Sequence, residues 1–111
     1  MGNPWAGEVT LVIDGQPQVM KLTLGALAEL ETELGTSSLM GLVERFEQGQ
    51  FSTKDVLSLI VAGLRGAGWQ GRAEALLSAE IAGGPIEAAR AAAELLARAF
   101  VVPGEATNDG L

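Results

Sequence analysis

The sequence predicts a mainly helical α+β domain, an N-terminal β-hairpin followed by four to five short helices. Three observations carry this. Apolar residues recur with a period of two between residues 8 and 24, and from Thr23 onward the period becomes about 3.6. An Asp14-Gly15 pair separates the two alternating runs. After that, each apolar stripe ends at a glycine or a Gly-Pro break. With 111 residues and 11.4 kDa there is room for one core. The expected domain spans residues 1–103, and 104–111 read as a flexible C-terminal tail.

In residues 8–13, Val9, Leu11 and Ile13 share one face. In residues 18–24, Met20, Leu22 and Leu24 share a face, opposite Val19, Lys21 and Thr23. The cluster Asp14-Gly15-Gln16-Pro17 is the expected turn. A hairpin is marginal alone in water, so helices must cover one face, and Met20, Leu22 and Leu24 are expected to point inward. Thr23 is a plausible N-cap for a first helix with Leu24, Leu27, Leu30 and Leu34 in a stripe, stopped by Gly35. Thr36-Ser37-Ser38 offers caps for a second helix carrying Leu39, Leu42, Val43 and Phe46, ending at Gly49. Ser52-Thr53-Lys54-Asp55 fits the S-x-x-[DE] form of a capping box. It opens a third helix with Val56, Leu57, Leu59, Ile60, Val61 and Leu64, whose wide apolar face marks it as the most buried. A fourth helix is expected from about Arg72 to Ala82, with Ala73, Leu76, Leu77 and Ile81 inward. Gly83-Gly84-Pro85 breaks it and starts a fifth, because proline suits the first helical turn. In the fifth, Ile86, Ala89, Ala93, Leu96 and Phe100 form the expected inner stripe. Glu87, Arg90, Glu94 and Arg98 alternate in sign on another face. Pro103-Gly104-Glu105 is its expected end.

Composition removes most chemistry. The chain has no cysteine, histidine or tyrosine. Disulfides, thiolate nucleophiles, imidazole acid–base work, HExxH metal sites and Ser-His-Asp triads therefore drop out, and no catalytic residue, metal or cofactor is expected. The formal net charge is −7 and the sequence pI about 4.4. The seven basic residues do not cluster, so neither DNA nor an anionic membrane is an expected partner. The N-terminus lacks a basic n-region and an apolar h-region. The longest apolar run, Val56 to Leu64, is interrupted by Ser58 and Gly63 and falls short of the roughly 18 residues of a membrane span. A cytoplasmic location in the producing cell is the expectation.

Some patterns mimic sites. Gly66-Ala67-Gly68-Trp69-Gln70-Gly71 is a literal GxGxxG, which leaves a nucleotide-binding domain as a remote alternative. A dinucleotide site needs those glycines after a strand and before a helix, with a second parallel strand to follow. Here a capped helix precedes them and the chain beyond Pro85 is helical, so a helix–helix linker filled by Trp69 is the better reading. Glu29, Glu31 and Glu33 crowd one helix but read as a solvated acidic face. Ser37, Ser38 and Ser52 read as caps rather than as members of a Ser/Lys dyad. Candidate partner-binding residues are Trp5, an aromatic before the first strand, and Ala88, Ala91 and Ala92, small residues that would let another helix approach closely. The alternative for Trp5 is folding back onto the core, and for these alanines it is packing inside the domain.

Read together, several segments resemble one family. They are Asn3-Pro4-Trp5-x-Gly7-Glu8-Val9, Leu11-Val12-Ile13-Asp14-Gly15, and Leu22-Thr23-Leu24-Gly25-Ala26-Leu27-Ala28-Glu29-Leu30-Glu31. Val43-Glu44-Arg45-Phe46, Asp55-Val56, Ala62-Gly63-Leu64-Arg65-Gly66-Ala67-Gly68 and Gly83-Gly84-Pro85 complete the pattern. The chain resembles, over about residues 3–102, the small gene-transfer-agent protein of the phage-like tail module, described both as a tail tube protein and as a tail assembly chaperone. The resemblance implies a non-enzymatic role in tail morphogenesis, with the tape-measure protein and tail tube subunits as partners and particle association as a further expectation. It carries over no catalytic motif. A chaperone suits a mainly helical chain, and a structural tube component is the alternative.

Overall fold

A computed structural model describes residues 7–35 and 38–100. Strand β1 (Val9–Ile13) pairs antiparallel with β2 (Gln16–Met20), and Ile13 stands opposite Gln16. The turn is therefore Asp14-Gly15 alone, shorter than the four-residue turn the sequence predicts, and β2 starts earlier. Asp14 has φ 52° and Gly15 φ 77°, the two left-handed residues that a tight hairpin turn requires. Pro17 consequently lies inside β2, opposite Val12. In a two-residue hairpin that pair exchanges no ladder hydrogen bonds, so the missing N–H faces outward and blunts the edge.

Helices α1 (Leu24–Leu34), α2 (Leu39–Glu47), α3 (Thr53–Gly66) and α4 (Gly84–Ala99) follow. Thr23 caps α1, accepting from the Ala26 N–H at 3.1 Å, and Gly35 ends it with φ 64°. Ser38 caps α2 through the Gly41 N–H at 2.9 Å. Ser37 lies outside the described residues. Both halves of the predicted capping box at Ser52 and Asp55 are formed. Helix α3 is the hub: it packs against α1, α4 and β2, and Leu59 to Leu64 are all buried. Its Gly63 carbonyl accepts from the Lys21 N–H at 2.8 Å, which ties the end of the hairpin to the helix. Val9, Leu11 and Ile13 from β1, with Met20 and Leu22, complete the core against α3 and α4.

Three inward placements differ from expectation. Leu24 is 85% exposed. As the residue after the N-cap it points away from the helix's inner face, which Ala26 and Leu30 occupy. Residues 72–82 do not form a helix but a short 3₁₀ turn, Ala73–Leu76, followed by an extended piece. The outer edge of β1 explains this. Asp14 N–H donates to the Glu80 carbonyl at 2.7 Å, Glu80 N–H donates to Asp14 Oδ1 at 2.8 Å, and Ala82 N–H donates to the Val12 carbonyl at 3.1 Å. Ile81 bridges Ile13. A short isolated helix is marginal, and satisfying an open strand edge outweighs its apolar periodicity. Finally, the inner stripe of α4 is Ala88, Ala91, Ala92, Leu95 and Leu96. Ile86 is 84% exposed and Ala93 is exposed, so of the expected stripe only Leu96 is fully buried. The expected helix end at Pro103 and the tail 104–111 lie outside the described residues.

Candidate functional site

An apolar concavity lies between α3, α4 and the 3₁₀ segment. The Ser52–Asp55 box fixes where α3 begins, and its first turns present Val56, Leu57 and Ile60. The start of α4 contributes Gly84, Pro85, Ala88 and Ala89, whose small side chains leave space. Leu76, Leu77, Ala79 and Ile81 form the third wall, and Phe51 and Thr53 close one end. The groove holds about 460 Å³. Leu77, 70% exposed, stands at its mouth. Phe51 is held by stacking on Phe46, ring centroids 4.4 Å apart. Nothing in this lining is a catalytic acid, base or nucleophile beyond the Thr53 hydroxyl, so the groove can bind apolar side chains rather than perform chemistry.

Ion pairs lie on the elements that carry the groove. Arg45 clamps Asp55 bidentately, Nε to Oδ2 and Nη2 to Oδ1, both at 3.0 Å. Asp55 Oδ2 also accepts from the Ser52 N–H at 2.9 Å. The Arg45 hydrogen bond holds the Asp55 carboxyl below the usual carboxylate range, outweighing the opposing effect of burial, and the Arg45 guanidinium is raised in turn. On α4, Arg90 bonds Glu87 through Nε at 2.9 Å and Glu94 through Nη1 at 2.7 Å, and Arg98 pairs with Glu94. These partners lower the carboxyls of Glu87, through Arg90, and of Glu94, through Arg98 first.

The residues singled out in the sequence are scattered. Trp5 lies outside the described residues. Ala88, Ala91 and Ala92 are 5%, 0% and 0% exposed and face the domain's own core. Ala88 reaches the groove's floor, whereas a partner could touch Ala91 or Ala92 only after α4 had lifted away. The GxGxxG sits at the C-terminal end of α3, where the helix dipole is negative, the wrong end for a pyrophosphate. Two of its three glycines have packing reasons, and the third, Gly68, takes a left-handed φ of 105°. A Cβ on Gly66 would lie 1.9 Å from the Lys21 carbonyl oxygen, and one on Gly71 would lie 2.2 Å from the Trp69 ring. Trp69 packs partly buried against the core. Glu29, Glu31 and Glu33 are exposed, and Glu29 lies 4.0 Å from Arg65. Among the described residues no three acidic side chains converge as a metal site would require.

The groove was missed in the sequence because Leu76, Leu77 and Ile81 read as a helix's inner face. The available signal was α3 itself, whose apolar face is wider than the neighbouring helices cover. Among the described residues, no helix is long and apolar enough to cross a membrane. No curated protein and no solved structure gives a significant match. The family described as phage tail tube protein, GTA-gp10, matches residues 6–101, nearly the whole chain, from the start of the hairpin past the end of α4, and the chain belongs to that family.

Proposed function

We propose that this tail-tube-family protein acts in tail morphogenesis as an assembly chaperone that holds apolar segments of the tape-measure protein. The observation that carries the reading is the open apolar groove between α3, α4 and the 3₁₀ segment. A helix laying a few apolar side chains into such a groove is a recurrent mode of recognition. The lining suits a helical, partly apolar partner and offers nothing to a phosphate backbone. The sheet supports the same choice. It has two strands, the outer edge of β1 is occupied by residues 80–82, and β2 carries Pro17. Rings built from β-sheet need strand edges to close on one another.

The second reading, a structural tube component, is favoured by the family's own description. Co-expression with helical fragments of the tape-measure protein separates the two. A chaperone keeps the fragments soluble, and Leu77→Glu at the groove's mouth abolishes this while leaving the melting temperature unchanged. If fragment solubility is the same with and without the protein, the chaperone reading fails.

A further inference from the structure

Helix α4 and its C-cap residue Phe100 carry a second apolar face that stands exposed among the described residues. Ile86, Ala93 and Phe100 recur every seven residues, with Ala89 and Ala97 between them. Ile86 is 84% and Phe100 40% exposed, Ala93 and Ala97 are exposed, and Ala89 is half-buried at the groove's margin. Large apolar side chains thus stand at the two ends of the face, and the middle is low enough for close approach of helix axes.

The pattern is symmetric. Reversing the direction of α4 about Ala93 exchanges Ile86 with Phe100 and Ala89 with Ala97. The charged column on one flank, Glu87, Arg90, Glu94 and Arg98, reverses sign under the same operation. Glu87 changes places with Arg98 to within about one residue's rise, while Arg90 falls about two residues' rise from Glu94. Reversal therefore sets Glu87 of each copy level with Arg98 of the other, at the two ends of the column. In an antiparallel helix pair the same flank of both helices comes together, so these levels meet. A parallel pair would leave Ile86 against Ile86 and Phe100 against Phe100, with each flank facing the other helix's uncharged side. Charge also directs the contact to this helix. The two acids and two bases of α4 cancel, so the whole net charge of −7 resides elsewhere on the chain. Two copies meeting through α4 bring no net charge of that helix together.

We infer that α4 is a two-fold dimerisation face: a second copy of this chain packs antiparallel on Ile86, Ala93 and Phe100, with the axis through Ala93. This is an isologous interface, closed and limited to two copies. It rests on α4 alone and stands whether the groove takes the tape-measure protein or not. One helix face is smaller than the roughly 800 Å² per partner of a standard interface, so the dimer dissociates in the micromolar range or above.

The chain contains no cysteine, so single introduced thiols report the geometry. Ala93→Cys in the full chain should oxidise to a covalent dimer, because the axis brings the two copies of that side chain within disulfide reach. Ala89→Cys and Ala97→Cys should each stay monomeric alone and cross-link when mixed. Light scattering on the unmodified chain should show the mass doubling with concentration. Ala93→Arg should raise the dissociation constant at least about tenfold, with no change in melting at concentrations where the monomer prevails. A chain that stays monomeric up to about 1 mM overturns the inference. So does Ala89→Cys cross-linking to itself as fast as Ala93→Cys, which would mean a parallel pair, or Ala93→Arg leaving the dissociation constant unchanged.

Discussion

Gly66→Ala tests whether the glycine-rich segment after α3 serves packing or ligand binding. In an exposed helix, replacing glycine by alanine gains up to about 1 kcal/mol through propensity. At Gly66 the new methyl would lie 1.9 Å from the Lys21 carbonyl oxygen, where real Cβ contacts essentially never fall below 3.0 Å. Either α3 or the end of the hairpin must move by at least about 1 Å. The obstacle is backbone, so no side-chain rotation relieves it. Overpacking of this kind costs about 1–3 kcal/mol. The shift also strains the Lys21–Gly63 hydrogen bond of 2.8 Å, for about 1 kcal/mol more. Offset by propensity, the net loss is about 1–3 kcal/mol, or roughly 5–20 °C in melting temperature for a domain of this size. Thermal and urea unfolding measure it. Gly25→Ala is the control: its Cβ meets only Thr23 Oγ1 at 4.0 Å, in the first turn of α1, so it should gain about 0.5–1 kcal/mol. A Gly66→Ala protein that melts within two degrees of the parent, or above it, would refute the packing account of this segment.

Three further substitutions probe the scaffold. Asp55→Ala removes the Arg45 clamp and half of the capping box, and should lower stability by about 2–3 kcal/mol in urea unfolding. The Asp55 carboxyl is depressed in the folded state, so its contribution is fully present above the unfolded-state pKa and is lost as pH falls through the folded value. The parent should therefore lose stability below about pH 4 more steeply than Asp55→Ala does, and parallel curves would contradict the assignment. Ala92→Arg places a guanidinium where exposure is 0% and should unfold the domain, whereas Ala93→Arg, one residue on, should fold normally. Circular dichroism distinguishes them, and equal behaviour of the two would mean that α4 is rotated from its described orientation.

The elements were legible where local chemistry decides. Thr23, Gly35, Ser38 and the Ser52–Asp55 box each set a helix end by satisfying backbone groups within a few residues, and Asp14-Gly15 sets the hairpin turn through its left-handed backbone. What the sequence hid was decided between distant segments. The pairing of Glu80 to Ala82 with the edge of β1 is invisible to a periodicity reading, because apolar spacing at Ala73, Leu76, Leu77 and Ile81 is equally helical on paper. That one displacement also hid the groove, since it turns Leu76 and Leu77 from an inner face into a wall. The orientation of α4 was ambiguous for another reason. It carries two apolar stripes, and alanine-rich Ala88-Ala91-Ala92 gives a weaker signal than Ile86 and Phe100 although it is the one that packs inward. The family was legible across almost its full length, while the choice between chaperone and tube depends on surfaces that no local motif encodes.

The most direct test of the chaperone assignment is the copy number of this protein in purified particles, measured by quantitative mass spectrometry against the major tail subunits. A chaperone that releases the tape-measure protein on assembly should be absent from finished particles, or present far below one copy per ring. A copy number that is a fixed multiple of the tail's ring symmetry would contradict the account and make the protein part of the tube.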